Sequence, residues 1–211
     1  MAEGPELSFL DLRIVHDYFD QALAENDDVV LRAYLDAYNE LYKFFQLMGS
    51  VFSFVSSDLK QKIDILDNLL NTDNQQYTTV KSMIEYEKEN KLLEKTDFVN
   101  GTRTLLRLNR GLDFIREFLR HMEDLSDDDK TGNCCRNAYN DTLGRYHPWV
   151  IRKAAVVAMY TLPTKEALFK KVCGENVQRN LDVLQKMLDV TAVVFYRIDS
   201  IYKTYEMHFL P

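Results

Sequence analysis

Glycine and proline are scarce, 7 and 4 in a chain of 211 residues, which leaves too few turn-forming positions for a fold built from many short strands. Cysteine is scarcer still. The three residues, Cys134, Cys135 and Cys173, are odd in number and two are adjacent, which argues against a disulfide framework and fits a reducing compartment. Apolar runs such as 154–159 fall far short of the roughly 20 residues needed to cross a bilayer. Positive charge is in deficit: 26 Lys and Arg stand against 33 Asp and Glu, for a net charge of −7. A field of that sign repels a phosphate backbone, so nucleic acid is not an expected partner.

The opening residues, Met1-Ala2-Glu3-Gly4-Pro5-Glu6, are acidic and lack the charged-then-apolar layout of a secretory signal. A cytosolic location is expected, with the sequons at Asn100 and Asn140 left unglycosylated. Chemistry-bearing motifs are missing as well. There is no nucleophile elbow, no phosphate-binding glycine loop and no His/Cys/Asp cluster at metal-ligand spacing, and adjacent Cys134-Cys135 cannot form a zinc knuckle. Neither catalysis nor a metal or other cofactor is expected.

What is present is helical pattern. Hydrophobic residues make up 46% of the chain, enough for a sizeable core, and they recur mostly at three- and four-residue spacing. A short tail over 1–8 precedes one domain over 9–211. The pattern predicts a first helix over 9–24 with Ser8 as its cap, and a long second helix over 29–56. A capping or kinking signal at Ser56-Ser57-Asp58 precedes a third helix over 59–70, and a more polar helix follows over 78–94. The strongest helix spans 101–122. After an acidic loop over 124–133 come helices over 136–146, from Pro148 to 160, over 165–173 with Thr164 as cap, and over 177–205.

On the helix over 101–122, Arg103, Arg107 and Arg110 share one face, opposite Leu105, Leu108, Leu112, Ile115 and Leu119. Stacked like charges destabilise a helix unless an anion or carboxylates compensate. Leu106, Phe114 and Phe118 flank them, so the guanidiniums emerge from apolar surroundings, the setting in which Arg grips phosphate. An Arg face ion-paired with a neighbouring helix has the same spacing. Asp58 and Lys62, one turn apart, are equally an intrahelical ion pair, and His147 at a helix start is equally structural. Trp149, the single Trp, is either a core anchor or an interfacial ring.

Five segments together are similar to one family: Val51-Phe52-Ser53-Phe54-Val55-Ser56-Ser57-Asp58, Thr102-Arg103-Thr104-Leu105-Leu106-Arg107-Leu108, Ala138-Tyr139-Asn140, Tyr146-His147-Pro148-Trp149-Val150 and Thr161-Leu162-Pro163-Thr164. Their order and spacing resemble the glycolipid transfer protein superfamily from Leu12 to Leu210-Pro211, with little similarity over 71–100 and 124–136. The resemblance implies an all-α two-layer sandwich of about eight helices, with lipid chains held between the layers. It implies that Asp58 accepts from a ceramide amide N–H, that His147 donates to the amide carbonyl, and that Lys62, Arg103 and Arg107 hold a phosphate. Arg107 is the discriminating position, because glycolipid-selective relatives carry a Trp there that stacks on sugar.

Arg110 matches a further basic position. Leu12, Phe44, Phe52, Phe54, Phe114 and Val157 are implied to line the chains, and Trp149 to touch the membrane. The expected activity is therefore non-enzymatic transfer of ceramide 1-phosphate by a monomer that meets membranes transiently. The rival expectations are a helical protein-interaction module, a lipid sensor of the same fold that transfers little, and a hydrolase using His147.

Overall fold

The computed structural model describes residues 8–210, so the expected tail over 1–8 lies outside them except for Ser8. Helix α1 (Leu12–Ala22) starts where the Asp11 carboxylate accepts the Arg13 N–H, three residues beyond the expected Ser8 cap. Its first turn is tied to distant chain. Asn180 Oδ1 accepts the Leu12 N–H at 2.6 Å and Glu40 Oε1 accepts the Asp11 N–H at 2.8 Å.

A small antiparallel pair follows, β1 (Leu23–Ala24) with β2 (Asp28–Val29). Asn26 and Asp27 turn the chain with φ of 56° and 53°, a region that short polar side chains tolerate. Two residues per strand are too few for alternation to register in the sequence. Arg197 donates to the Ala24 and Asp28 carbonyls and fastens the hairpin down.

Helix α2 (Leu31–Leu47) ends at Gly49, where φ is 89°, and a 3-10 turn over Ser50–Phe52 leads into α3 (Ser53–Thr72). The expected break at Ser56-Ser57-Asp58 is thus displaced to Gly49, because glycine enters the left-handed half of backbone space without steric cost. Ser56 instead donates to the Ser53 carbonyl from within the helix. Asp58 therefore stands in the second turn of α3, aligned with Lys62, and caps nothing.

Helix α4 (Val80–Glu89) opens on a reciprocal capping box between Thr79 and Ser82, and α5 (Gly101–Glu123) on the Asn100 side chain. Next come α6 (Gly132–Asp141), a 3-10 turn over Leu143–Tyr146, α7 (Trp149–Tyr160), α8 (Lys165–Cys173) and α9 (Val177–Thr204). Thr164 caps α8 as expected, while α6 starts earlier than 136 and tightens into 3-10 geometry before 146.

The helices form a two-layer all-α sandwich. α1, α2, α8 and α9 pack among themselves, α3, α4 and α6 pack on α5 with α7 on α6, and the layers meet through α2 on α3 and α5 on α9. One contiguous apolar cluster runs from Leu10 to Tyr202. At its centre the start of α5 is held by a buried carboxylate. Glu87 Oε1 accepts the Gly101 N–H at 2.6 Å, Oε2 accepts the Thr102 N–H at 3.0 Å, and Tyr77 Oη donates to Oε1 at 3.2 Å. A negative group is favoured at that end of a helix dipole.

Glu87→Ala leaves two buried N–H groups and a phenol without acceptors, each worth roughly 1–3 kcal/mol. The expected result is a loss of about 3 kcal/mol or more in urea denaturation; a change under about 1 kcal/mol would refute the anchoring role.

Candidate functional site

Between α2, α3, α5, α6 and α7 lies a cavity of about 550 Å³. Phenylalanine dominates its wall: Phe44 and Phe45 of α2, Phe52 and Phe54 around the start of α3, and Phe114 and Phe118 of α5 all line it. Six of the chain's 12 Phe therefore line one space. Phe114 and Phe118 stack with centroids 6.2 Å apart, and Phe44 meets Phe118 edge-on at 6.3 Å. Ile151, Ala155 and Met159 close it from α7, a helix apolar on more than one face.

The polar groups at this cavity are Tyr38 of α2, Asp58 and Lys62 of α3, Arg107 and Arg110 of α5, Tyr139 of α6, and Tyr146 and His147. Lys62 Nζ bonds Asp58 Oδ1, with the lysine side chain 16% exposed and the aspartate 66% exposed. The arginines form a cationic cluster. Burial lowers the Arg110 pKa from its usual value, Tyr146 opposes this, and the charges of Arg107 and Arg145 lower it further. The Arg110 guanidinium lies 4.0 Å over the Tyr146 ring and donates to the carbonyls of His208 at 3.0 Å and Leu210 at 3.2 Å. It thus ties the end of the chain to α5, a contact spanning about a hundred residues that no local pattern announces.

His147 follows the 3-10 turn, its N–H bonded to the Gly144 carbonyl. Its Nδ1 lies 2.7 Å from the Tyr139 hydroxyl. Burial holds the imidazole pKa below its ordinary value; Asp58 pulls it up and Lys62 pushes it down. Those two couplings place His147 in electrical contact with the α3 pair.

Four sequence-derived positions, Phe44, Phe52, Phe54 and Phe114, line the cavity together with Asp58, Lys62, Arg107, Arg110 and His147. Three others stand apart. Leu12 is buried in the core on α1, and Val157 is 65% exposed on α7, so neither is a wall of this cavity. Arg103, one turn before Arg107, is half-buried and not a lining residue; its Nε is buried and has no hydrogen-bond partner among the described residues. Trp149 is 64% exposed and so is not a core anchor. On the same helix Val150, Ile151 and Tyr160 are exposed too, as are Val51 and Phe54 around the start of α3, and the Lys153 ammonium lies 5.8 Å from the indole.

Among the described residues no group of His, Cys, Asp or Glu is placed to hold a metal ion, and no helix is long and apolar enough to cross a membrane. A helical sandwich enclosing an apolar cavity with a basic mouth is the form of a carrier for amphiphiles. The chain belongs to the glycolipid transfer protein family, whose pattern it matches over residues 29–174. It is similar to the Ceramide-1-phosphate transfer protein of Danio rerio, 36% identical over 205 residues that cover 95% of this chain and 97% of that one. The Homo sapiens protein of the same name is 31% identical over 206 residues, covering 95% and 96%.

Among solved structures, the apo form of mouse ceramide-1-phosphate transfer protein superposes with a TM-score of 0.89 at 32% identity, over 96% of this chain and 100% of that one. The human protein in complex with 2:0 ceramide-1-phosphate gives 0.86 at 29%, over 97% and 100%.

The His147 shift has a sign that can be tested. With the folded-state pKa depressed, the unfolded chain takes up a proton near pH 6.5 before the folded one does. The contribution is fully present above that pH and is lost as pH falls toward the folded-state value. Between pH 7.5 and 5.5 the parent's thermal midpoint should therefore fall further than that of His147→Asn. Equal falls would show that burial does not hold the ring neutral.

Proposed function

We propose that this chain is a cytosolic, non-enzymatic carrier that moves ceramide 1-phosphate between membranes. The observation that carries the reading is the gathering of Lys62, Arg107 and Arg110 with Asp58 and His147 at an otherwise apolar cavity. Human ceramide-1-phosphate transfer protein binds ceramide-1-phosphate of two chain lengths on the same fold, which supports the choice of lipid.

In this reading Lys62 and Arg107 hold the phosphate from the cavity wall, and Arg103, which is not a lining residue, joins them from the preceding turn of α5. Arg103 contributes a buried Nε donor without a protein acceptor among the described residues, and Arg110, engaged with the carbonyls of His208 and Leu210, supports the positive field from behind. Asp58 accepts from the ceramide amide N–H and His147 donates to its carbonyl. Arg107 sets the preference for phosphate over sugar, since a guanidinium makes paired, charge-assisted hydrogen bonds to phosphate oxygens.

The energetics divide cleanly between the two ends of the lipid. Roughly 25 to 30 chain methylenes exposed to water would cost on the order of 20 kcal/mol at ~0.8 per group, so a carrier must enclose them. A wall of Phe, Leu and Met exchanges one apolar phase for another and discriminates little. Each charge-assisted hydrogen bond at the head contributes roughly 1.5–3 kcal/mol, and selectivity resides there. Methylenes fill about the ~30 Å³ that a water takes in the liquid, so the two chains need roughly 800 Å³. The cavity between α3, α5 and α7 is where those chains enter. Trp149 and its exposed apolar neighbours rest on the bilayer while that happens, with Arg152 and Lys153 beside them.

Vesicle transfer with labelled ceramide 1-phosphate and a neutral glycosphingolipid tests the headgroup assignment; preference for the neutral lipid defeats it. Arg107→Leu is expected to lower ceramide 1-phosphate transfer at least about tenfold, the loss of one charge-assisted contact, with the helical circular dichroism spectrum unchanged. Trp149→Ala should slow transfer from vesicles while affinity for short-chain, water-dispersed ceramide 1-phosphate stays within about twofold, since truncating an exposed ring changes stability little. An equal loss in both assays would place Trp149 in the pocket and not at the bilayer.

A further inference from the structure

We propose that Tyr139 is a positioning residue for this site: its hydroxyl donates to His147 Nδ1, so that Nε2 carries the imidazole proton and becomes the donor to the lipid amide carbonyl. The inference rests on the reading of His147 as that donor. Nothing in the family pattern quoted above assigns Tyr139 a role of its own.

Chemistry fixes the direction of the bond. Tyr139 is 2% exposed, and its hydroxyl makes one hydrogen bond among the described residues, at 2.7 Å to His147 Nδ1. A phenol hydrogen buried without an acceptor costs about 1–3 kcal/mol. If Nδ1 carried the proton it would donate to the phenol oxygen and leave that hydrogen with no acceptor. The arrangement that satisfies both groups has the phenol donating and Nδ1 accepting.

A neutral imidazole has one N–H, and with Nδ1 accepting it must be on Nε2. Freed from the phenol, a neutral ring populates both tautomers, and the Nδ1–H form turns a lone pair toward a carbonyl oxygen. Burial favours the neutral ring. The charged and titratable groups sharing its cavity are Tyr38 on α2, Asp58 and Lys62 on α3, Arg107 and Arg110 on α5, Cys135 and Tyr139 on α6, and neighbouring Tyr146. Of those charges Asp58 raises the imidazole pKa and Lys62 lowers it, and burial is the largest influence.

The phenol is itself held in place. Phe114 meets the Tyr139 ring edge-on at 6.0 Å and 89°. Gly144, in the 3-10 turn that delivers His147, leaves room for it: a Cβ there would come within 2.9 Å of the Tyr139 carbonyl oxygen and 3.2 and 3.3 Å of two ring carbons. One short segment, 139–147, thus contains the phenol, the imidazole and the glycine that lets them meet.

Tyr139→Phe keeps the ring and its packing and removes only the hydroxyl. With the imidazoles labelled with nitrogen-15 and the His147 signals identified by their loss in His147→Gln, the parent at pH 7.5 should show the Nε2–H form. Tyr139→Phe should show a mixture of tautomers. Its transfer of ceramide 1-phosphate should fall roughly five- to tenfold, the size of one misdirected hydrogen bond, with the thermal midpoint within a few degrees of the parent. A purely structural tyrosine would move the midpoint and not the tautomer. If His147→Gln loses transfer and Tyr139→Phe does not, or if the variant's ring remains Nε2–H, this inference alone is overturned. If neither substitution lowers transfer, the amide-donor reading beneath it is overturned as well.

Discussion

The Glu87 carboxylate, buried against the first N–H groups of α5, holds the helix on which the arginines stand. Apolar burial of Leu105, Leu108 and Leu112 selects which face of α5 turns inward, yet it is non-directional and tolerates a small slide along the helix axis. Hydrogen bonds to the helix ends and carbonyls do not. The Tyr202 hydroxyl donates to the Thr102 carbonyl at 2.6 Å and the Tyr38 hydroxyl to the Leu108 carbonyl. One residue of slip is about 1.5 Å of rise with a rotation of about 100°, enough to carry a guanidinium off the cavity mouth. Four directional bonds from three side chains, on α2, α4 and α9, therefore locate the cations as much as the core does.

The proposed division of labour follows from what each kind of force can distinguish. Phenylalanine walls stabilise any hydrocarbon chain by a similar amount per methylene. The cation cluster, with Lys62 largely buried beside exposed Asp58, responds instead to headgroup charge and shape. Arg110 shows how the fold manages an excess of like charge in one place: its guanidinium is engaged by two carbonyls near the end of the chain and by the face of Tyr146. Trp149, Val150 and Tyr160 are exposed on α7, the same helix whose Ile151, Ala155 and Met159 line the cavity.

Much of the architecture was legible because helix starts are chemical events confined to a few residues. Thr164 on α8 and the long amphipathic stretch of α5 are local signals, and the structure has them as expected. The break between α2 and α3 was misplaced because Ser56-Ser57-Asp58 has the composition of a cap, whereas the controlling residue is Gly49 at φ 89°. Four of the lining phenylalanines were marked through family likeness. Phe45, Phe118, Ile151 and Met159 were not, although the apolar circumference of α7 was a usable signal that the helix has something apolar on more than one side.

The amino-acid sequence by itself determined the all-helical class and the one-turn spacings that pair Asp58 with Lys62 and align Arg103, Arg107 and Arg110. These depend on interactions within about four residues, which a helix of known pitch makes predictable. Tertiary structure alone decided that Arg107 and Arg110 border the cavity while Arg103 does not, that Val157 faces outward, and that the Tyr139 hydroxyl meets His147 Nδ1. Each of those outcomes is set by the angle and height at which one helix or turn packs on another, a quantity fixed by the summed shape of side chains far apart in the chain and encoded in no single segment of it.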